Sequence, residues 1–394
     1  MATYGQIYTV LNAIATQAMG GTAITAQDTT SVVSLGNQVL DSTQNIDAFY
    51  NALPDVIGRI VSRYQTIRRR TRDIEVEPLD FGIALLEIET DTIARAKKNN
   101  TWDSSIDPFT LMLADDTAIS ASIYSVMAGW EVNKLIYDRQ LKTAFHNEME
   151  MASFINMIFN DMYNGMTLAQ NDADRMCEAV AIMQELYAAN AATPKLTAVN
   201  LITAYNTAFN LSGGSAMTAA NSHYDKDFKK WAALKIKTDI ENAEEVSNLY
   251  NPAGAERELE PGDYRIHMLS EFASEFAMYL EADTYHNEFV SMPEFSKVAS
   301  WQGKGTSDSF ADRSTVSVIN DDMSCTIEGV VCHVFAKGRM LTTIKDIRTK
   351  SMYNAIDERT IYAHKADIGY AVRPKEIGIV YYIADTDWAP EEGD

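Results

Sequence analysis

At 394 residues, 46% of them apolar, the chain has material for roughly two domain-sized cores. Its 55 acidic and 33 basic residues leave a formal charge of −22, a field that disfavours general wrapping on nucleic acid or anionic lipid. The sequence holds no run of 18 apolar residues to cross a bilayer, and Met1-Ala2-Thr3-Tyr4-Gly5 lacks the order of a secretion signal, so a soluble, non-exported protein is expected.

Residues 1–45 are rich in Thr, Ala, Gln, Ser and Asn and carry one helical stripe, Ile7, Val10, Leu11, Ile14 and Met19, that ends at Gly20-Gly21. With so few large apolar groups, this stretch reads as an arm that orders against the body or against a neighbouring subunit. Residues 56–72 carry Arg59, Arg63, Arg68, Arg69, Arg70 and Arg72 and no acid; residues 73–91 carry Asp73, Glu75, Glu77, Asp80, Glu87, Glu89 and Asp91. Ile74 and Val76, then Ile83, Leu85, Leu86 and Ile88, give strand character, and Pro78-Leu79-Asp80-Phe81-Gly82 holds the turn residues. A two-stranded hairpin with charged faces is predicted, flanked by Arg95, Lys97 and Lys98. A lone ribbon of this kind is marginal in water, so it leans on a partner.

In residues 122–137, Trp130, Val132, Lys134 and Ile136 alternate with Glu131, Asn133 and Leu135, as in a strand. The period then changes: Met151, Ile155, Ile158, Met162, Met166, Ala169, Ala173, Met176, Val180, Met183 and Tyr187 recur at spacings of three and four. They predict one helix from Glu148 to Ala189, about 60 Å long, with Asn164-Gly165 as the place where it would kink or split. Further along, the pattern predicts a helix over 198–209, a flexible 212–215, an amphipathic stretch over 227–249, a loop over 251–263 and a helix over 264–277. Gln302-Gly303-Lys304-Gly305-Thr306 is Gly-rich. Residues 326–335, 360–372 and 377–383 have strand composition, with Arg373-Pro374-Lys375-Glu376 as a hairpin turn, and the end is acidic at Glu391-Glu392-Gly393-Asp394.

Chemistry-bearing constellations are sparse. Cys177, Cys325 and Cys332 are an odd number that fits small buried thiols in a reducing compartment better than a disulfide framework. Six histidines, His146, His223, His267, His286, His333 and His364, include no His-Glu-x-x-His pair, and Cys332-His333 with Cys325 on strands gives no common metal position. The run 303–306 has the composition of a phosphate loop but not its order, and no nucleophile elbow or dinucleotide fingerprint is present. No catalytic residue, cofactor or metal is therefore assigned. The arginine run is the one feature that invites a functional reading. A solvated face and phosphate contact are its plainer meanings, and docking on an acidic surface of another copy is the sharper one.

The order of these parts, a soft arm, a charged protruding hairpin, a long helix beside a sheet, a mixed middle and a return to strands, resembles that of tailed-bacteriophage major capsid proteins, the fold of Hong Kong-type phage shells. Asp138-Arg139-Gln140-Leu141-Lys142-Thr143-Ala144-Phe145, with the apolar helix reaching Ile158 and Tyr163-Asn164, looks like the approach to the spine helix in the capsid proteins of small short-tailed phages (podoviruses). Glu294-Phe295-Ser296-Lys297-Val298, Tyr353-Asn354 and Tyr362 look like later segments of the same family. The resemblance covers about 45–385 and implies an α+β fold in six parts. These are an N-terminal arm (1–45), a lead into the peripheral domain (46–67), an extended β-hairpin loop (68–100), the peripheral domain with its spine helix and sheet (101–191), an axial domain (192–325), and a return to peripheral strands with the acidic tail (326–394).

The function it implies is a structural, non-enzymatic head subunit that self-assembles into hexamers and pentamers around double-stranded DNA, held without sequence-specific contact. Scaffolding, portal and decoration proteins are the partners implied, with no membrane, and assembly takes place in the bacterial cytoplasm. The contact candidates between subunits are Arg68, Arg69, Arg70, Arg72, Glu75, Glu77, Phe81, Glu87 and Glu89. Residues 73–94 hold no lysine, so autocatalytic cross-linking through the loop is not supported, and no immunoglobulin-like domain is expected after the last strand. The alternatives are an encapsulin-like shell protein on the same fold and, further off, an acidic enzyme of unrecognised family.

Overall fold

A computed structural model describes residues 4–57, 74–76, 85–93, 95, 119–124, 127–146, 148–281, 293–302, 309–320, 323–354 and 356–390. In chain order the helices are α1 (Tyr4–Met19), α2 (Thr29–Leu40), α3 (Thr43–Ile57), α4 (Asp138–Ala144), α5 (Glu148–Ala189), α6 (Leu201–Ala208), α7 (Ala219–Ser222), α8 (Lys226–Ala243), α9 (Ser270–Glu281) and α10 (Phe310–Ser314). The strands are β1 (Glu75–Val76), β2 (Leu85–Thr90), β3 (Ile119–Tyr124), β4 (Met127–Tyr137), β5 (Ala198–Asn200), β6 (Tyr264–Leu269), β7 (Ser296–Val298), β8 (Val316–Asn320), β9 (Met323–Ile327), β10 (Val330–Ala336), β11 (Met340–Asn354), β12 (Arg359–Val372) and β13 (Gly378–Tyr382).

The N-terminal region packs on the body as three helices. Asp28 caps α2: its carboxylate accepts from the Ser31 amide at 2.7 Å while the Ser31 hydroxyl accepts from the Asp28 amide at 2.9 Å, a reciprocal box that starts the helix. Leu11 and Ile14 of α1, Val32 and Leu35 of α2, and Phe49 of α3 are fully buried with Leu141 of α4 and Ile158 of α5. Phe49 meets Phe145 with ring centres 5.6 Å apart, and the Tyr362 hydroxyl of β12 donates to the Tyr50 carbonyl at 2.7 Å. The arm packs on the body, and its sparse apolar residues suffice because α4, α5 and β12 complete the core.

Helix α5 runs unbroken over 42 residues, so Asn164-Gly165 does not split it. A Cβ at Gly165 would lie 3.1 Å from Val132 Cγ2, which shows that the glycine lets α5 settle closely on β4. Gly165→Ile is expected to cost about 1–3 kcal/mol by forcing helix and strand apart, measured by urea unfolding. Among the described side chains of the predicted stripe, Ile158, Met162, Met166 and Met183 are buried in the core, whereas Met176 is 44% exposed.

The helix spans two sheets. Its first half lies on a four-stranded sheet of order β1-β11-β12-β4, where Met166, Ala169 and Ala173 pack on Ala366 and Ile368. Its second half lies on a five-stranded sheet of order β5-β13-β10-β6-β7, with Ile182 and Leu186 in the core beside Val334 and Ile379. Cys177 and Ala181 sit at the junction with Ile74, Phe335, Met340 and Val372.

Three expectations are corrected. The strand at 75–76 does not pair with the one at 85–90: β1 joins β11 in parallel, and β2 pairs antiparallel with β3 (Leu86↔Ile123, Ile88↔Ala121, Thr90↔Ile119). The alternation of Ile119, Ala121 and Ile123 with Ser120 and Ser122 matches that of β2 face for face and sets serines opposite Glu87 and Glu89, where the Glu75-Glu77 segment would have set acids. Residues 264–269 are strand rather than the start of a helix, because β6 lies between β10 and β7 and its Ile266, His267, Met268 and Leu269 are buried without alternation. The strand-rich end does not return as one unit. β11 and β12 join β4, whereas β10 and β13 sit beside β6, so the turn at 373–376 passes the chain between sheets instead of closing a hairpin.

Candidate assembly interface

The β2–β3 ladder has two chemically opposite faces. Leu86 and Ile88 of β2 and Ile119 and Ile123 of β3 share one face and are 59%, 67%, 67% and 69% exposed, with Ala121 exposed between them. Exposure of this kind, contiguous and cross-strand, marks an interaction surface rather than scattered surface apolarity.

The opposite face carries Glu87, Glu89 and Ser120 and closes on the same chain. Glu87 accepts from Arg373 Nε at 2.9 Å; Glu89 pairs with Arg257 at 3.3 Å and with Lys375 at 3.7 Å. Lys375, only 8% exposed, also pairs with Asp91 at 2.8 Å and donates to the Ser120 hydroxyl. Arg257 Nη1 donates to the Thr90 carbonyl at 3.0 Å, the Glu256 amide donates to the Asp91 carbonyl at 3.0 Å, and Glu256 in turn accepts from the Ile93 amide at 2.9 Å and Arg95 at 3.1 Å. The Lys375 bond, then Ser120, holds the Asp91 carboxyl below the ordinary carboxylate value. Burial raises the Glu87 carboxyl despite Arg373, and raises that of Glu376 despite Arg257. A two-stranded ribbon that is marginal alone is thus fixed by an ionic seat on the turn 373–376 and the loop at 256–257.

Of the contact candidates read from the sequence, Arg68, Arg69, Arg70, Arg72, Glu77 and Phe81 lie outside the described residues, and Glu75 sits in β1 opposite Leu341. Glu87 and Glu89 are less than one-fifth exposed and engaged within the chain, so their charges face inward rather than toward a neighbour. Leu86, Ile88, Ile119 and Ile123 were not singled out; their signal is the matched period-two alternation of β2 and β3.

Elsewhere the described residues offer little reaction chemistry. The three cysteines are buried, and burial pushes the Cys325 thiol up to about 12 and those of Cys177 and Cys332 further. Among the described residues no cluster of three His, Cys, Asp or Glu side chains is placed to hold a metal, and no helix is long and apolar enough to cross a membrane.

A helical N-terminal region, a ladder with one exposed apolar face and one long helix bridging two sheets is the architecture of a phage capsid subunit. A chain in the capsid structure of Staphylococcus phage Andhra shares it with a TM-score of 0.51 at 11% identity, over 80% of this chain and 84% of that one. A chain in the capsid structure of cyanophage P-SCSP1u gives 0.50 at 10% identity over 80% and 87%. One in the head fibre and inner core protein gp22 structure of native bacteriophage P68 gives 0.51 at 10% over 78% and 83%. At such identities the likeness is one of fold. The model of the Phi29-like phage major capsid protein family matches residues 11–336, and the chain belongs to that family. Its role is that of a structural subunit of a phage capsid. No curated protein matches it.

Proposed function

We propose that the subunit closes a phage head by laying the apolar outer face of its β2–β3 ladder on a neighbouring copy, within hexamers and pentamers that enclose double-stranded DNA. The observation that carries this is the exposed quartet Leu86, Ile88, Ile119 and Ile123 on a ladder whose other face is already tied down. Covering about two-thirds of four large aliphatic side chains is worth roughly 4–8 kcal/mol per contact, whereas exposed ion pairs give about 0–1 kcal/mol each. Apolar docking therefore supplies most of the contact energy, and charges such as those of Arg68, Arg69, Arg70 and Arg72 set register. The charge of −22 keeps the shell from gripping packaged DNA, so the genome is enclosed without sequence-specific contact. Assembly takes place in the host cytoplasm with scaffolding and portal proteins.

Because all three native thiols are buried, an Ile88→Cys subunit presents one reactive cysteine. Maleimide is expected to label it in the free subunit and to be excluded in assembled shells. Equal labelling in both states would contradict the docking. Reversing Arg68, Arg69, Arg70 and Arg72 to glutamate is expected to leave a folded subunit that assembles poorly; normal shells, seen by sedimentation, would remove charge from the account.

A further inference from the structure

The ladder's seat is continuous with a polar chain buried in the protein. On α5, Glu178 and Glu185 lie two turns apart on one face; His267 of β6 and His333 of β10 are register partners beneath them, and Arg339 follows β10. All five are at most 3% exposed. Glu178 Oε1 lies 2.6 Å from His267 Nδ1 and 3.2 Å from His333 Nδ1. Glu185 Oε1 lies 3.2 Å from His333 Nε2 and accepts from Arg339 Nε at 3.0 Å. Arg339 Nη1 then donates to the carbonyls of Arg373 at 2.8 Å and Glu376 at 2.9 Å, and the Arg373 amide donates back to the Arg339 carbonyl at 2.8 Å. Arg373 and Lys375 of that same turn hold Glu87, Glu89 and Asp91.

His333 stands between two carboxylates, one at each ring nitrogen. A neutral imidazole has one N–H and one lone pair, and here the lone pair would face an anion; both nitrogens therefore carry protons. As imidazolium, His333 also places positive charge between the two carboxylates, beside Arg339. The other groups around it are accounted for. His267 shares Glu178, and Val380 and Gly378 of β13 bring no charge. Cys177, next to Glu178 on α5, points at the Leu341 and Ala371 carbonyls, with Asp174 acting on it.

We propose that the pose of the ladder is set from inside the protein by this relay, with Arg339 as the positioning residue and His333, as imidazolium, holding Glu185 for it. The inference deepens the docking reading and rests on it only for the consequence in assembly. Its pH dependence has a definite sign. Burial by itself would lower the His333 value, but Glu185 and Glu178 outweigh it and raise it above 6.5. The contribution is therefore complete below 6.5 and is lost as pH rises through the raised value in the folded protein. Burial opposes ionisation of Glu178, yet the two imidazoles hold it at about 2, so its share is present above 4.5 and is lost only as pH falls through about 2. The relay is acid-tolerant and fails on the alkaline side.

Hydrogen exchange on the unassembled full chain tests it. Arg339→Lys keeps the charge beside Glu185, but one ammonium cannot span that carboxylate and both carbonyls. Amides of β2 and β3 are expected to exchange at least ten times faster in the variant, with α8 and β6 unchanged. Unchanged ladder exchange in the folded variant would overturn the proposal. If the variant loses α8 protection as well, the native chain decides. Its ladder protection, corrected for intrinsic rates, is expected to fall selectively between pH 6 and pH 10; a flat profile would overturn the relay. Both readouts are taken on free subunits, so they stand or fall separately from thiol protection at position 88 in shells.

Discussion

Replacing Ile88 and Ile123 together by glutamate is expected to give a folded subunit that forms no closed shells. Both side chains are about two-thirds exposed on the outer face of the ladder, so in the free subunit the change touches no core and stability stays within about 0.5 kcal/mol. In a shell the same positions would be covered, and burying two unpaired carboxylates there costs several kcal/mol for each contact, repeated at every subunit. Sedimentation reads the particles and urea unfolding reads the subunit. Shells of normal yield would mean that the apolar face is not an interface, and an unfolded subunit would mean that the ladder belongs to the core.

The second large effect is predicted at a single hydrogen-to-methyl change, Gly378→Ala. A Cβ there would overlap Glu185 Oε1 and crowd Arg339 Nε, both fully buried. Neither charged group has water to move into, so the pair must separate, and breaking a buried pair costs about 3–5 kcal/mol. Glu185→Ala is expected to cost a similar amount by leaving Arg339 and His333 without their shared acceptor. The two changes should be strongly non-additive: once Glu185 is truncated the closest overlap is gone and only the crowding of Arg339 Nε remains, so Gly378→Ala in that background should cost less than about 1–2 kcal/mol. Full additivity in urea unfolding would show that the glycine serves something other than the clearance for Glu185.

What could be read in the sequence follows from which interactions are local. The α5 helix was legible to the residue because its stripe and its length are properties of one segment. Strand β4 and the strand character of β10, β12 and β13 were legible from alternation and β-branched composition. Pairing was not, since partners such as β2 with β3 or β1 with β11 are chosen by matching faces far apart in the chain. β6 was misread because a strand buried on both faces loses the period that identifies it. Helix α1 was legible from its stripe ending at Gly20-Gly21, but α2 and α3 were not, because their few apolar residues complete a core that α4, α5 and β12 provide. The charge contrast of 56–91 drew attention to Glu87 and Glu89, which Arg373, Arg257 and Lys375 neutralise from within. The apolar residues between them carry the exposed face.

The most direct measurement of the central claim is a sedimentation profile with negative-stain imaging of the full chain, expressed alone and together with its phage's scaffolding and portal genes. The account predicts closed shells of uniform size, or discrete capsomer rings, in at least one of these conditions. A monodisperse monomer in all of them would contradict it.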